Sequence, residues 1–307
     1  MKIAKQTAKK ILIILLIVFG GLTLVGGSVF SIAMSVAGWD FSVMNTVDYK
    51  RATYTETQEN TNLSVKLNTT DIKVYFDESA TQVRVEYAEK YTKRGEQLTK
   101  ISLTEENGSL QIIQERLVKA YLETSFKDND DVFVYLPQNR AYTIDMQVTT
   151  GDIFLNGKGN LTNLKLTTNT GEVFINEDVT ATEKVDIKTG TGEIFIRKSL
   201  TAPNVEMKTG TGDIWLGKLS GETLYVTTNT GDVRNYNDGV LDFINLQFKV
   251  GTGDVTLRLA GAHTDYCVDV KTNTGDNFLS GYPDTSKERT LFIRTSTGDI
   301  RGVYVEK

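Results

Sequence analysis

The chain of 307 residues has a single cysteine, Cys267, a single histidine, His263, and three prolines. One cysteine excludes an intramolecular disulfide and any thiolate metal cluster. Positive charge is also scarce. The formal net charge is −5, and four of the 34 basic residues (Lys2, Lys5, Lys9 and Lys10) fall in the first ten. Beyond them 30 basic residues face 39 acidic ones, a balance of −9. Neutralising phosphates takes clustered Lys and Arg, so nucleic acid is not an expected partner.

Glycine and threonine are plentiful, and their placement is regular. Gly151, Gly171, Gly192, Gly212, Gly231, Gly253, Gly275 and Gly298 each stand in a T-G-[DE] triplet, at intervals of 20, 21, 20, 19, 22, 22 and 23 residues. A sustained period near twenty marks stacked structural repeats. Before each turn, apolar residues alternate with polar ones, as Leu164 and Leu166 or Val185 and Ile187 do. After it the alternation resumes, as in Val173 and Ile175. Period two places one set inside and the other outside a strand. Each repeat thus reads as a strand, a tight corner, a short strand and a return loop, and one such unit cannot bury its apolar face alone.

The expected fold is all-β: a β-solenoid, parallel β-helix-like, of about 20-residue TxTG[DE][IV] coils. At about 4.8 Å per coil the eight regular copies would rise roughly 38 Å. A sandwich is the alternative, but it gives no reason for near-identical corners. Two places before the glycine stand Asn169, Gly190, Gly210, Asn229, Gly251 and Asn273. Both residue types tolerate positive φ, so a left-handed residue is expected there. The corner threonines, such as Thr168 and Thr189, are expected to bond each other or the corner backbone.

The start of the chain differs. Ile11 to Trp39 is 29 residues without a charge. As a helix it would be roughly 43 Å long against a hydrocarbon core of about 30 Å. Four lysines before it and Asp40 after it favour a cytoplasmic N-terminus and an extracytoplasmic remainder. A cleaved signal peptide is the competing reading, though the stretch exceeds an ordinary h-region. The expected organisation is a basic tail (1–10), a single-pass transmembrane helix (11–39), a polar linker (40–62) and the β domain (63–307). Within the last, 63–140 holds irregular first coils and 141–307 the regular repeats. Gly27, Ser31 and Ser35 form a small-residue row on the expected helix.

The V-x-V-x-L-P stretch at Val132–Pro137, the first T-G-D-I and the train of TxTG[DE][IV] phrases resemble the bacterial DUF4097 family of β-strand repeats, also called "putative adhesin". The resemblance runs from about Leu63 to the C-terminus. It implies a single β-solenoid domain, found in some bacteria in accessory proteins of cell-envelope stress systems. It implies no catalytic residue.

The repeats bear on three chemistries. The corner acids Asp152, Glu172, Glu193, Asp213, Asp232, Asp254, Asp276 and Asp299 form a ladder, and calcium-binding repeats also stack Gly and Asp. Those need several oxygens converging on each ion, whereas here one acid per coil faces outward. The plainer reading sets this column beside a basic one of Lys188, Lys208, Lys249, Lys271 and Arg294. An envelope-polysaccharide enzyme on a β-helix would need a unique cluster of carboxylates, and the polar residues repeat uniformly. His263 with Asp265 or Cys267 could be drawn as a metal or nucleophile site, but a loop histidine without a role is the simpler reading. No catalytic, cofactor-binding or metal residue is therefore assigned.

The third chemistry is a binding surface. The residue between the two inward positions after the corner is Phe154, Phe174, Phe195 and Trp215, then Arg234, Thr256, Phe278 and Arg301. Arg and Thr there place it outward. The four successive aromatics are the expected partner-binding column, with self-stacking or a lid from Arg116 to Asp130 as other fates. The expected function is a non-catalytic, membrane-anchored surface for an envelope protein or polymer.

Overall fold

The computed structural model describes residues 46–118, 130–279, 281 and 283–306, together with Gly27, Ser31, Ser35 and Val36. By contacts the chain divides into two units, one of residues 1–48 with 120–128 and one of 49–119 with 129–307. The expected span 11–39 lies outside the described residues except for those four, which are helical and exposed. Among the described residues no helix is long and apolar enough to cross a membrane.

The second unit is all-β. Its one helical element among the described residues is a 3-10 turn at His263–Asp265. Strands from successive repeats pair in parallel, in register with the repeat. Gly159–Thr170 lies between Tyr142–Thr150 and Val179–Thr191, with Leu166 opposite Met146 on one side and Ile187 on the other. The short strand Val173–Ile175 lies likewise between Ile153–Asn156 and Ile194–Ile196. The alternating residues therefore stack on their counterparts. Leu166, Ile187, Met207 and Val226 are all 0% exposed. Each repeat contributes the same few aliphatic side chains to one continuous core, which is why no repeat needs a core of its own.

Sequence order and stacking order part at both ends. Asn62–Thr69 is inserted between Ser109–Arg116 and Tyr142–Thr150, so the earliest coil is not the outermost. At the other end Arg289–Thr297 is inserted between Leu241–Thr252 and Tyr266–Thr274. The C-terminal coil thus has a partner on each side, and an internal strand forms the outer rung. The first end is closed by antiparallel pairing, Thr99–Glu106 on Ser109–Arg116 and Arg84–Thr92 on Val132–Pro137. An open parallel edge is a template for further pairing, and an antiparallel cap blunts it. The irregular first coils, 63–140, are therefore parallel rungs plus this cap.

The corners differ from expectation in one respect. Positive φ falls on the glycine of each triplet, from 131° at Gly275 to 148° at Gly253, and not two residues earlier. Among the described residues the non-glycine residues with positive φ are Asn107 and Asn237. The chain turns at the glycine itself because the coils touch there. A Cβ on Gly212 would stand 2.1 Å from the Gly192 carbonyl oxygen. In the coils that carry glycine two places before, close approach restricts that residue instead: a Cβ on Gly190 would lie 2.5 Å from the Asn169 oxygen.

Threonine completes the corner. The Thr168, Thr189 and Thr209 hydroxyls each donate at 2.9 Å to the glycine carbonyl of the coil below, at Gly151, Gly171 and Gly192. The degenerate first corner has Thr70 in place of glycine and a buried polar network around it. Gln114 Nε2 donates to Thr70 Oγ1 at 2.8 Å, and Thr70 donates to Asp130. Lys90 pairs with Asp130 at 2.8 Å, with both side chains nearly buried.

Gly212→Ala is expected to destabilise the domain by about 3 kcal/mol, because strained φ and a backbone clash coincide. Asn229→Gly, in a place where other coils carry glycine, should cost under about 1 kcal/mol. Denaturant melts of the two variants check this; equal losses would overturn the account of the corner.

Candidate functional site

The short strands align one outward residue per coil. In stacking order the column reads Phe133, Lys73, Phe154, Phe174, Phe195, Trp215, Arg234, Thr256 and Arg301. The four expected aromatics are thus brought together. Phe154 and Phe174 stack at 4.7 Å with planes 4° apart, Phe174 and Phe195 at 4.9 Å and 3°, and Phe195 and Trp215 at 6.2 Å and 7°. Near-parallel rings at strand spacing are what identical rungs impose.

The rings turn their faces to one another. Phe174 is buried at 7% exposure and the other three are half-buried. Cations cover part of what remains. The Arg197 guanidinium lies 4.9 Å from the Phe174 ring and 5.7 Å from Phe195, and Arg234 lies 4.6 Å from Trp215. Lys73 sits 5.5 Å from Phe133 and 5.6 Å from Phe154. Trp215 Nε1 donates to Glu193 Oε2 at 2.9 Å, and Tyr236 meets the indole edge-on. The column is a self-stacked, cation-flanked stripe. Most of the segment considered as a lid, 119–129, lies outside the described residues.

Sequence reading missed Phe133 and Lys73, which extend the column at its first end. The signal was present in part: Lys73 follows Ile72 in "TTDIK", the degenerate first corner. Phe133 sits in a strand without a corner, so only the pairing of Val132–Pro137 with Ile72–Asp77 reveals it.

The corner acids do more than face solvent. Asp152 Oδ1 accepts the Glu172 N–H at 2.7 Å, Asp213 that of Asp232 at 2.7 Å, and Asp232 that of Asp254 at 2.8 Å. The same bond joins Asp71 to Asp152, Asp254 to Asp299 and Asp299 to Asp276. An aspartate is the right length to satisfy the amide of the next rung. The bond is absent, among the described residues, above Glu172 and Glu193, whose side chains are one methylene longer. Burial, with Asp152 and Glu193 as like-charged neighbours, raises the Glu172 pKa.

The expected pairing of this ladder with a basic column does not form. Arg234 bonds Asp232 and lies 3.5 Å from Asp213, and Arg301 lies 2.5 Å from Asp299. The Lys188 column lies on the long strand before the corner, where Lys188 meets Asp186 at 2.9 Å and Glu206 at 3.5 Å. Among the described residues no three His, Cys, Asp or Glu converge as a metal site. His263 is exposed in its 3-10 turn, Asp265 accepts the Ala262 N–H at 2.8 Å, and Cys267 is half-buried.

Toastrack DUF4097, a family of such repeats, matches residues 60–301. The chain belongs to this family. Solved structures share the fold. A "putative adhesin" from Bacteroides fragilis superposes with TM-score 0.51 at 13% identity, over 83% of this chain and 97% of its own. A second "putative adhesin", from Parabacteroides merdae, gives TM-score 0.50 at 13% identity, over 84% of this chain and 96% of its own. Identity this low establishes the fold alone. No curated protein matches the chain.

The raised Glu172 pKa has a pH consequence. The folded state holds this proton more tightly than the unfolded one. The glutamate therefore disfavours folding once pH rises through the window from the ordinary carboxylate value to the raised one. Glu172→Gln should raise Tm at pH 7 by an amount worth less than about 1 kcal/mol. The gain should vanish below the ordinary carboxylate range, and melts at both pH values check it.

Proposed function

We propose that this Toastrack protein is a non-catalytic, membrane-anchored β-solenoid that presents its aromatic column to an envelope protein or polymer, for adhesion, sensing or scaffolding. The carrying observation is the column itself. Phe154, Phe174, Phe195 and Trp215 are four successive aromatics in an outward series that carries Arg or Thr in later coils. Stacked rings edged by Arg197 and Arg234 offer flat apolar borders beside fixed positive charge, a combination common in recognition surfaces. The uniform repetition of the remaining polar residues supports binding over turnover, since catalysis needs a unique convergent cluster. The adhesin descriptions of the Bacteroides and Parabacteroides proteins agree with a surface role.

The anchor in this proposal is 11–39, with 1–10 in the cytoplasm and the repeats outside. It is supported by the uncharged run of 29 residues and by the lysines that precede it. Protease added to intact, wall-stripped cells should then digest residues 41–307. Full protection until the membrane is permeabilised would overturn the topology.

The column is tested by co-sedimentation of the detergent-solubilised full-length chain with membrane-free envelope fragments of the source cell, which the 11–39 anchor cannot enter. Phe195→Thr with Trp215→Arg should keep the fold, because Thr256, Arg234 and Arg301 hold the same place in other coils. It should weaken retention about tenfold or more. Unchanged retention would reduce the column to sheet packing. Turnover of envelope glycan that is abolished by one carboxylate substitution would replace this reading with an enzyme.

A further inference from the structure

A second face carries charge of the opposite sign to the whole chain. On the long strands, the residue four places before each corner glycine forms a column of its own. Parallel register sets Lys188, Lys208, Thr227, Lys249, Arg294 and Lys271 on successive rungs. Five of six rungs are cationic in a chain of net charge −5. At about 4.8 Å per rung the column runs roughly 24 Å.

The neighbouring column, two residues earlier on the same face, reads Asp186, Glu206, Tyr225, Gln247, Phe292 and Asp269. Acids neutralise the two ends: Lys188 pairs with Asp186 and Glu206, and Arg294 pairs with Asp269 at 2.6 Å. Between them the acids give way to aromatic and amide side chains. The Lys249 ammonium lies 5.4 Å from the Tyr225 ring, and the Arg294 guanidinium 4.0 Å from Phe292. Lys208, Lys249 and Lys271 are exposed and form no ion pair among the described residues. A groove of about 380 Å³ opens along these rungs, lined by Thr227, Asn229, Lys249, Lys271, Asn273 and Arg294 among others.

We infer that this groove binds an acidic polysaccharide lying along the stacking axis, one carboxylated sugar after another against successive rungs. Lys249 and Lys271 supply cations two rungs apart, and the Arg294 between them is already paired with Asp269. The half-buried Tyr225 ring, on the column beside the groove, offers apolar surface for a pyranose, whereas the Phe292 face is already covered by the Arg294 guanidinium. The exposed Asn229 and Asn273 side chains can bond sugar hydroxyls. A polyphosphate would use the cations and leave the Tyr225 ring idle. Nucleic acid would meet the acids at both ends of the column. The inference rests on the reading of this domain as a binding module, but it uses the long-strand face and not the short-strand aromatics.

The test is titration of the full-length chain with polygalacturonate. The controls are its fully methyl-esterified form, with the same sugars and no charge, and inorganic polyphosphate, with charge and no sugars. Polygalacturonate should bind at least about tenfold more tightly than the ester, and the affinity should fall steeply with salt. Lys249→Gln with Lys271→Gln should cost about tenfold or more. Should that pair disturb the circular dichroism, Lys271→Gln alone on the outermost strand serves, with a smaller loss in the same direction. Tyr225→Ser should weaken polygalacturonate and leave polyphosphate unchanged. Equal binding of acid and ester, indifference to the lysine variants, or a Tyr225→Ser variant that binds both polyanions like wild type would each overturn the inference. Phe195→Thr with Trp215→Arg should bind polygalacturonate normally. If envelope retention survives while polygalacturonate fails, this inference falls alone; if only envelope retention fails, the aromatic column falls alone.

Discussion

Everything in this domain depends on how closely one coil can approach the next at the corner. The carbonyl of each corner glycine points at the glycine above, and a Cβ on Gly171 would stand 2.0 Å from the Gly151 oxygen. That contact holds the coils at strand spacing on both sides of the turn. The threonine hydroxyl on the same carbonyl and the aspartate on the next amide then satisfy polar groups that a corner would otherwise leave unpaired. Glycine, threonine and acid are thus three parts of one device, which is why they recur as a triplet.

Once the corners are aligned, every other column follows. Aliphatic residues stack into a continuous core, and outward residues stack into stripes. Any side chain that recurs becomes a ladder, and any substitution in one repeat becomes a local feature of a stripe. Function on such a scaffold is written as departure from uniformity. The aromatics stand in successive coils, and Lys249 stands where Tyr225, Gln247 and Phe292 interrupt the acids.

The ends are the costly part of a stacked fold, since each terminal rung exposes an edge. This chain closes its first end with antiparallel strands and the buried Lys90–Asp130 pair under Thr70. At its last end it tucks its own C-terminal strands inside. A buried pair like this is conditional: its members balance one another, and removing either alone leaves an uncompensated charge worth about 3–5 kcal/mol.

The sequence by itself determined the repeat, the all-β class, the inward and outward sets, the identity of the corner residues and the four aromatics of the column. These follow from short-range rules: period two along a strand and the glycine that a tight contact demands. It misplaced the left-handed residue, because tolerance of positive φ in Asn and Gly says nothing about which residue of a corner meets the neighbouring carbonyl. It paired the corner acids with lysines that face another side, because distance along the chain does not report on which side of a bend a side chain emerges. Only the tertiary structure decided the order of the rungs at both ends, the extension of the column to Phe133 and Lys73, and the face-to-face stacking of its rings. Those depend on hydrogen bonds between strands tens of residues apart. Any two coils with the same pattern pair equally well locally, so the pattern cannot say which neighbour a strand will take.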